Sequence, residues 1–126
     1  MEADSVRRYQ VQARSTDMLG RVLCSARQHH FVVDGPAQNG CPGEAVTPAE
    51  VFLAGVASCG VELIQVIARD QGMTLGGVTA QIDGWVDREH PVRSDHTVFN
   101  GARLRLQLTG VTSKEAEELV EKFKSR

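Results

Sequence analysis

Aromatic residues are scarce in this chain, and none is interleaved with a run of basic ones. One tryptophan, one tyrosine and four phenylalanines make up 5% of the 126 residues, and the formal net charge is −2. A nucleic-acid surface needs a basic stripe, with aromatics where single strands stack, so nucleic acid is not an expected partner. Cysteine is also sparse. Cys24, Cys41 and Cys59 are odd in number and irregular in spacing, which excludes a paired disulfide framework of the secreted type. The opening MEADSVRRYQ lacks an apolar stretch of signal-peptide length, so a cytoplasmic location is expected. There is no P-loop, no dinucleotide fingerprint and no internal repeat, and Gly76-Gly77 reads as a turn. No cofactor is expected.

What is present fits one soluble domain spanning residues 1–126, with 41% hydrophobic and 24% charged residues. Residues 6–14 alternate, with Tyr9, Val11 and Ala13 on one face, and predict a strand. Met18-Leu19-Gly20 predicts a turn, and residues 21–25 and 29–34 two further strands of a meander. Residues 35–46, GPAQNGCPGEAV, hold three glycines and two prolines and predict a long loop, a common place for function.

The segment Thr47 to Gly72, TPAEVFLAGVASCGVELIQVIARDQG, predicts one long helix. Thr47 suits the N-cap, Pro48 the first helical position, and Glu50 completes a capping box, while Gly72 supplies the stop. Ser58, Glu62, Gln65 and Arg69 form one polar stripe on a helix otherwise apolar or small. Those polar residues interrupt the run and argue against a membrane span. A helix of about 25 residues is roughly 37 Å long, more than the expected width of such a domain, so a second subunit is expected to cover part of it. Alternation over 76–88 and 97–109 predicts two more strands, the second with Ala102, Leu104, Leu106 and Leu108 on its inner face. Thr112 with Glu115 predicts a capped final helix. Strands followed by a buried helix, two strands and a helix make an α+β pattern.

The element order and the run Pro48-Ala49-Glu50-Val51-Phe52-Leu53-Ala54-Gly55-Val56-Ala57-Ser58-Cys59 resemble the OsmC/Ohr family of osmotically induced and organic hydroperoxide resistance proteins. The approach through Phe31-Val32-Val33-Asp34-Gly35-Pro36 to Thr47-Pro48 is similar as well. The resemblance implies an intertwined homodimer, with antiparallel sheets wrapped around long central helices and active sites at the subunit interface. It implies thiol peroxidase chemistry too, in which the helix cysteine, here Cys59, attacks a hydroperoxide and a dithiol reductant restores it. A second cysteine followed by proline resolves the sulfenic acid in that family. Here the chain ends at Arg126, where that Cys-Pro would begin a last strand. The carboxylate that the hydroperoxide branch carries ten residues before its cysteine falls at Ala49, with Glu50 one later, and the branch's early arginine falls at Met18 or Leu19.

Each candidate residue has a structural reading beside the chemical one. Cys59 is either a buried packing thiol or the peroxidatic nucleophile, which requires a donor or cation to favour its thiolate. Arg14, Arg21, Arg27 and Arg93 are the candidate cations. Glu50 is a capping-box partner and a candidate catalytic group. Nine residues along a regular helix place it roughly 13 Å from Cys59 and on the opposite face, so it would act on the other subunit or through an arginine. Cys41, before Pro42, is an incidental loop thiol or a substitute resolving one, and Cys24 a strand residue. Glu62 belongs to the polar stripe or lines the cavity of Cys59. The spacing of Cys24, His29, His30 and Cys41 matches no common zinc pattern, and no metal is expected. The alternative class is a non-catalytic member whose interface cleft binds a small apolar ligand.

Overall fold

Two β-hairpin systems and two helices account for the regular structure of the computed structural model, which describes residues 5–95 and 97–125. The chain separates into two compact units, divided between Val51 and Phe52.

The first unit holds a three-stranded antiparallel sheet in the order β1 (Gln12–Ser15), β2 (Arg21–Ala26), β3 (His29–Asp34). The predicted second and third strands are found almost to the residue. The first is shorter than predicted, because residues 6–11 lie outside β1. The register explains this. Gln12 pairs with Ser25, so Val11 would face Ala26 and Gln10 would face Arg27, where the chain has already turned at φ 56. Alternation without a strand to pair with does not make a strand. The loop after β3 contains a short 3₁₀ turn, Ala37–Asn39, closed by Gly40 in the left-handed region.

Helix α1 runs Pro48–Asp70. Its end is a Schellman motif. Gly72, at φ 69, donates its N–H to Arg69 O at 3.1 Å, and Met73 donates to Ala68 O at 2.9 Å. In the second unit, β4 (Val78–Trp85) pairs antiparallel with β5 (Gly101–Leu108). Val78 faces Leu108, Ala80 faces Leu106 and Ile82 faces Leu104, so the apolar residues of both strands share one face. That face packs on the fully buried Ile64, Ile67 and Ala68 of α1 and Leu119 of α2 (Ser113–Lys124). Burying each of the larger three contributes about 1.5–3 kcal/mol. The predicted strand 97–109 begins later, at Gly101. Trp85 pairs with Gly101, and beyond it the opposite chain leaves the ladder at Asp87, whose carboxylate accepts from Glu89 N at 3.0 Å. The predicted capping box of α2 is formed, with Glu115 N donating to Thr112 Oγ1 at 3.1 Å and Thr112 N to Glu115 Oε1 at 2.9 Å.

Candidate functional site

The loop between β3 and α1 is held by one carboxylate. Asp34, fully buried, accepts from Arg21 Nε at 2.8 Å and Nη2 at 2.9 Å. It also accepts from the backbone N–H groups of Glu44 at 3.0 Å and Ala45 at 2.8 Å. Its own N–H donates to Val46 O at 3.0 Å. Arg21 Nη2 reaches Glu44 Oε1 at 2.9 Å. The Arg21 side chain, then desolvation working against it, then the two backbone donors set the titration of Asp34, and together they hold it well below the usual carboxylate range. Arg21 is held above its ordinary range by the same two acids, Asp34 first.

That network delivers the chain to the start of α1, where Glu50 performs its structural role. Its Oε1 accepts from Thr47 N at 3.0 Å and from Thr47 Oγ1 at 2.9 Å. Those bonds, the backbone one first, lower the Glu50 pKa, so its carboxylate stays ionised on an exposed surface.

Cys59 lies in the middle of α1 and is exposed. The next residue, Gly60, is buried, and a Cβ placed there would stand 3.4 Å from both Leu104 and Phe123. The glycine thus lets this turn of α1 pack closely on β5 and α2, while the thiol one residue earlier faces outward. Ser58 donates to Gly55 O at 3.1 Å, and Glu62, Gln65 and Arg69 of the predicted polar stripe are exposed. The buried residues of α1 are Gly60, Ile64, Ile67 and Ala68, all in its C-terminal part, whereas Phe52, Ala54, Gly55 and Val56 are exposed. By length and composition α1 could cross a membrane, with mean hydropathy 2.0 in its most apolar window, of which 22% is buried within the chain.

The other thiols differ in kind. Cys41 Sγ is wedged between two glycines; a Cβ on Gly20 or Gly35 would come within 2.4 and 2.6 Å of it. Cys24 is half-buried on β2, opposite Phe31. Of the candidate cations, Arg21 is engaged by Asp34 and Glu44, Arg93 bonds Asp95 at 3.0 and 2.8 Å, Arg27 occupies the β2–β3 turn, and Arg14 lies exposed on β1. Cys24, His29, His30 and Cys41 do not converge on a metal-sized site. Among the described residues, Asp87, Glu89 and His90 bring their ligand atoms within 4.8 Å of one another, all exposed.

Sequence reasoning missed the Asp34 network. Its signal was present: opposite charges open β2 and close β3, and Asp34 ends an apolar strand just before Gly35-Pro36.

Several solved structures share this fold, three of which illustrate it. An OsmC-like protein from Mycoplasma pneumoniae superposes with a TM-score of 0.80 at 15% identity, covering 95% of this chain and 82% of its own. An organic hydroperoxide resistance protein OsmC from Legionella pneumophila gives 0.75 at 22% identity, covering 97% and 85%. An organic hydroperoxide resistance protein from Elizabethkingia anophelis, with thiocyanate bound, gives 0.77 at 17% identity, covering 98% and 85%. No curated protein sequence matches the chain. The OsmC-like protein family matches residues 41–126, the stretch that contains Cys41, Glu50, Cys59, β4, β5 and α2, and the chain belongs to that family.

Proposed function

We propose that this chain is a thiol-dependent hydroperoxide reductase of the OsmC/Ohr type, with Cys59 as its peroxidatic nucleophile. The observation that carries the reading is the outward-facing Cys59 on a mid-helix turn of α1, within the segment that defines the family. The Cys59 thiolate attacks one oxygen of the O–O bond. An S–O bond forms, the O–O bond breaks, and the departing alkoxide takes a proton to leave as alcohol. Cys59 is oxidised to the sulfenic acid as the peroxide is reduced. A dithiol then restores it: one sulfur displaces water to form a mixed disulfide, and the second displaces the Cys59 thiolate. Cys41 is the candidate internal substitute for the first of these sulfurs.

The working form is an intertwined homodimer of single OsmC-like domains in the cytoplasm, in which the partner covers the N-terminal part of α1 and supplies Glu50 to the site. The exposed Phe52 and Val56 on a 23-residue apolar helix support that covering. The same two side chains also favour a second reading, capture of a small apolar ligand without turnover.

Sulfenic-acid trapping separates the two. Brief treatment with substoichiometric cumene hydroperoxide in the presence of dimedone is expected to label the Cys59 peptide ahead of the Cys24 and Cys41 peptides. Absence of label on Cys59 would sink the reductase reading and favour ligand binding.

A further inference from the structure

A cleft of about 500 Å³ opens on the three-stranded sheet, lined by Gln12, Ala13, Arg14, Leu23, Ser25 and His30. The strand register builds it. Gln12 pairs with Ser25 and Ser25 with His30, so three polar side chains form one row across β1, β2 and β3. Arg14 pairs with Leu23 in the row two residues along, on the same face. Ser25 Oγ and His30 Nδ1 are 2.7 Å apart. This bond leaves a donor in either protonation state. When the neutral ring accepts the serine proton at Nδ1, Nε2 carries its hydrogen; when the ring is charged, Nδ1 donates, and both Nε2 and the hydroxyl can donate outward.

Gln12, Arg14, Ser25 and His30 therefore offer amide, guanidinium, hydroxyl and imidazole donors, and among the described residues no carboxylate lines the cleft. Leu23, on the same face, supplies its apolar side chain. We infer that this cleft binds the oxyanion group of a small organic carboxylate, with Arg14 as the charge partner, the Ser25–His30 pair as the second donor, and the apolar tail lying along Leu23. A planar guanidinium matches a carboxylate in geometry as well as charge. The inference rests on the first unit alone and does not depend on Cys59.

The test is an NMR titration of the full chain with sodium octanoate, read at the amides of residues 12–14, 23–25 and 30, beside parallel titrations with octanol and inorganic phosphate. Octanoate is expected to give saturable shifts at these amides, phosphate weaker ones and octanol none. Arg14→Gln should weaken octanoate by about fivefold, the scale of one exposed charge contact. Ser25→Ala should weaken it less, and Cys59→Ser should leave it unchanged. Arg14 is exposed, so its variant is expected to fold, and a wild-type-like spectrum verifies this. No saturable shift with octanoate, or equal binding by Arg14→Gln, would overturn the assignment. Phosphate binding more tightly than octanoate would overturn the choice of a carboxylate with an apolar tail.

Discussion

Arg21 and Asp34 stand opposite each other at the open end of the β2–β3 hairpin, and their side chains meet in a two-bonded ion pair at 2.8 and 2.9 Å. Asp34 is the one buried charged side chain among the described residues. A charge in that position is tolerable only because every side of it is satisfied, by a guanidinium and by two backbone donors. The pair therefore does more than close a hairpin. It ties residues 44–46 to the sheet, just before the first residue of α1.

A pH dependence follows with a definite sign. The folded-state pKa of Asp34 is depressed, so the unfolded chain binds the proton more readily. The stability that Asp34 contributes is fully present above the ordinary carboxylate pKa of about 3.9 and is lost as pH falls below it toward the depressed folded value. Glu50, lowered by Thr47, adds in the same direction. Urea denaturation between about pH 6 and pH 3 should show a falling stability in wild type. Asp34→Asn should be less stable at neutral pH and show a shallower fall. A fall of equal slope in the variant would contradict the assignment.

Two glycines in the second unit should differ sharply in their tolerance of alanine. Gly110 sits at φ 83, and a Cβ there would lie 2.5 Å from the backbone nitrogen of Gly76. Neither the strained backbone nor the clash can relax cheaply, so Gly110→Ala should cost roughly 2–4 kcal/mol. Gly101 meets the Trp85 ring, with a Cβ 2.5 Å from Cζ2, but Trp85 is half exposed and its ring can swing away. Gly101→Ala should cost only about 1 kcal/mol. It should also shift the fluorescence of Trp85, the single tryptophan of the chain. Chemical denaturation followed by that fluorescence checks both.

The exposed N-terminal part of α1 makes a third expectation. If a second copy covers it, Val56→Glu buries a charge in the interface and should convert a dimer to monomer in sedimentation or size-exclusion measurements. The second-unit core, built on Ile64, Ile67, Ala68 and Leu119, does not involve Val56, so helical circular dichroism should persist. A wild-type chain that is monomeric at high concentration would contradict the proposed assembly.

Much of the fold was legible because its signals are local. The two capping boxes at Thr47 and Thr112, the Gly72 stop and the leucine alternation of β5 are short-range patterns, and all four are found as expected. The errors came where a strand needs a partner at a distance. Residues 6–11 and 97–100 carry strand-like alternation, yet the opposing chain turns away at Arg27 and Asp87. The family was legible in the run that leads to Cys59, and the candidate site was read as that cysteine on a small-residue helix. The buried Asp34 was not, because nothing short-range says that residues 21, 34, 44 and 45 converge.

The central claim is that Cys59 reduces hydroperoxides, and a dithiol-coupled peroxidase assay with cumene hydroperoxide, run beside Cys59→Ser, tests it most directly. Cys59 is exposed and outside the buried core, so the serine variant should fold normally. Catalytic turnover in wild type that disappears in Cys59→Ser is the predicted result. A folded wild-type protein without turnover, or equal turnover in Cys59→Ser, would contradict the account.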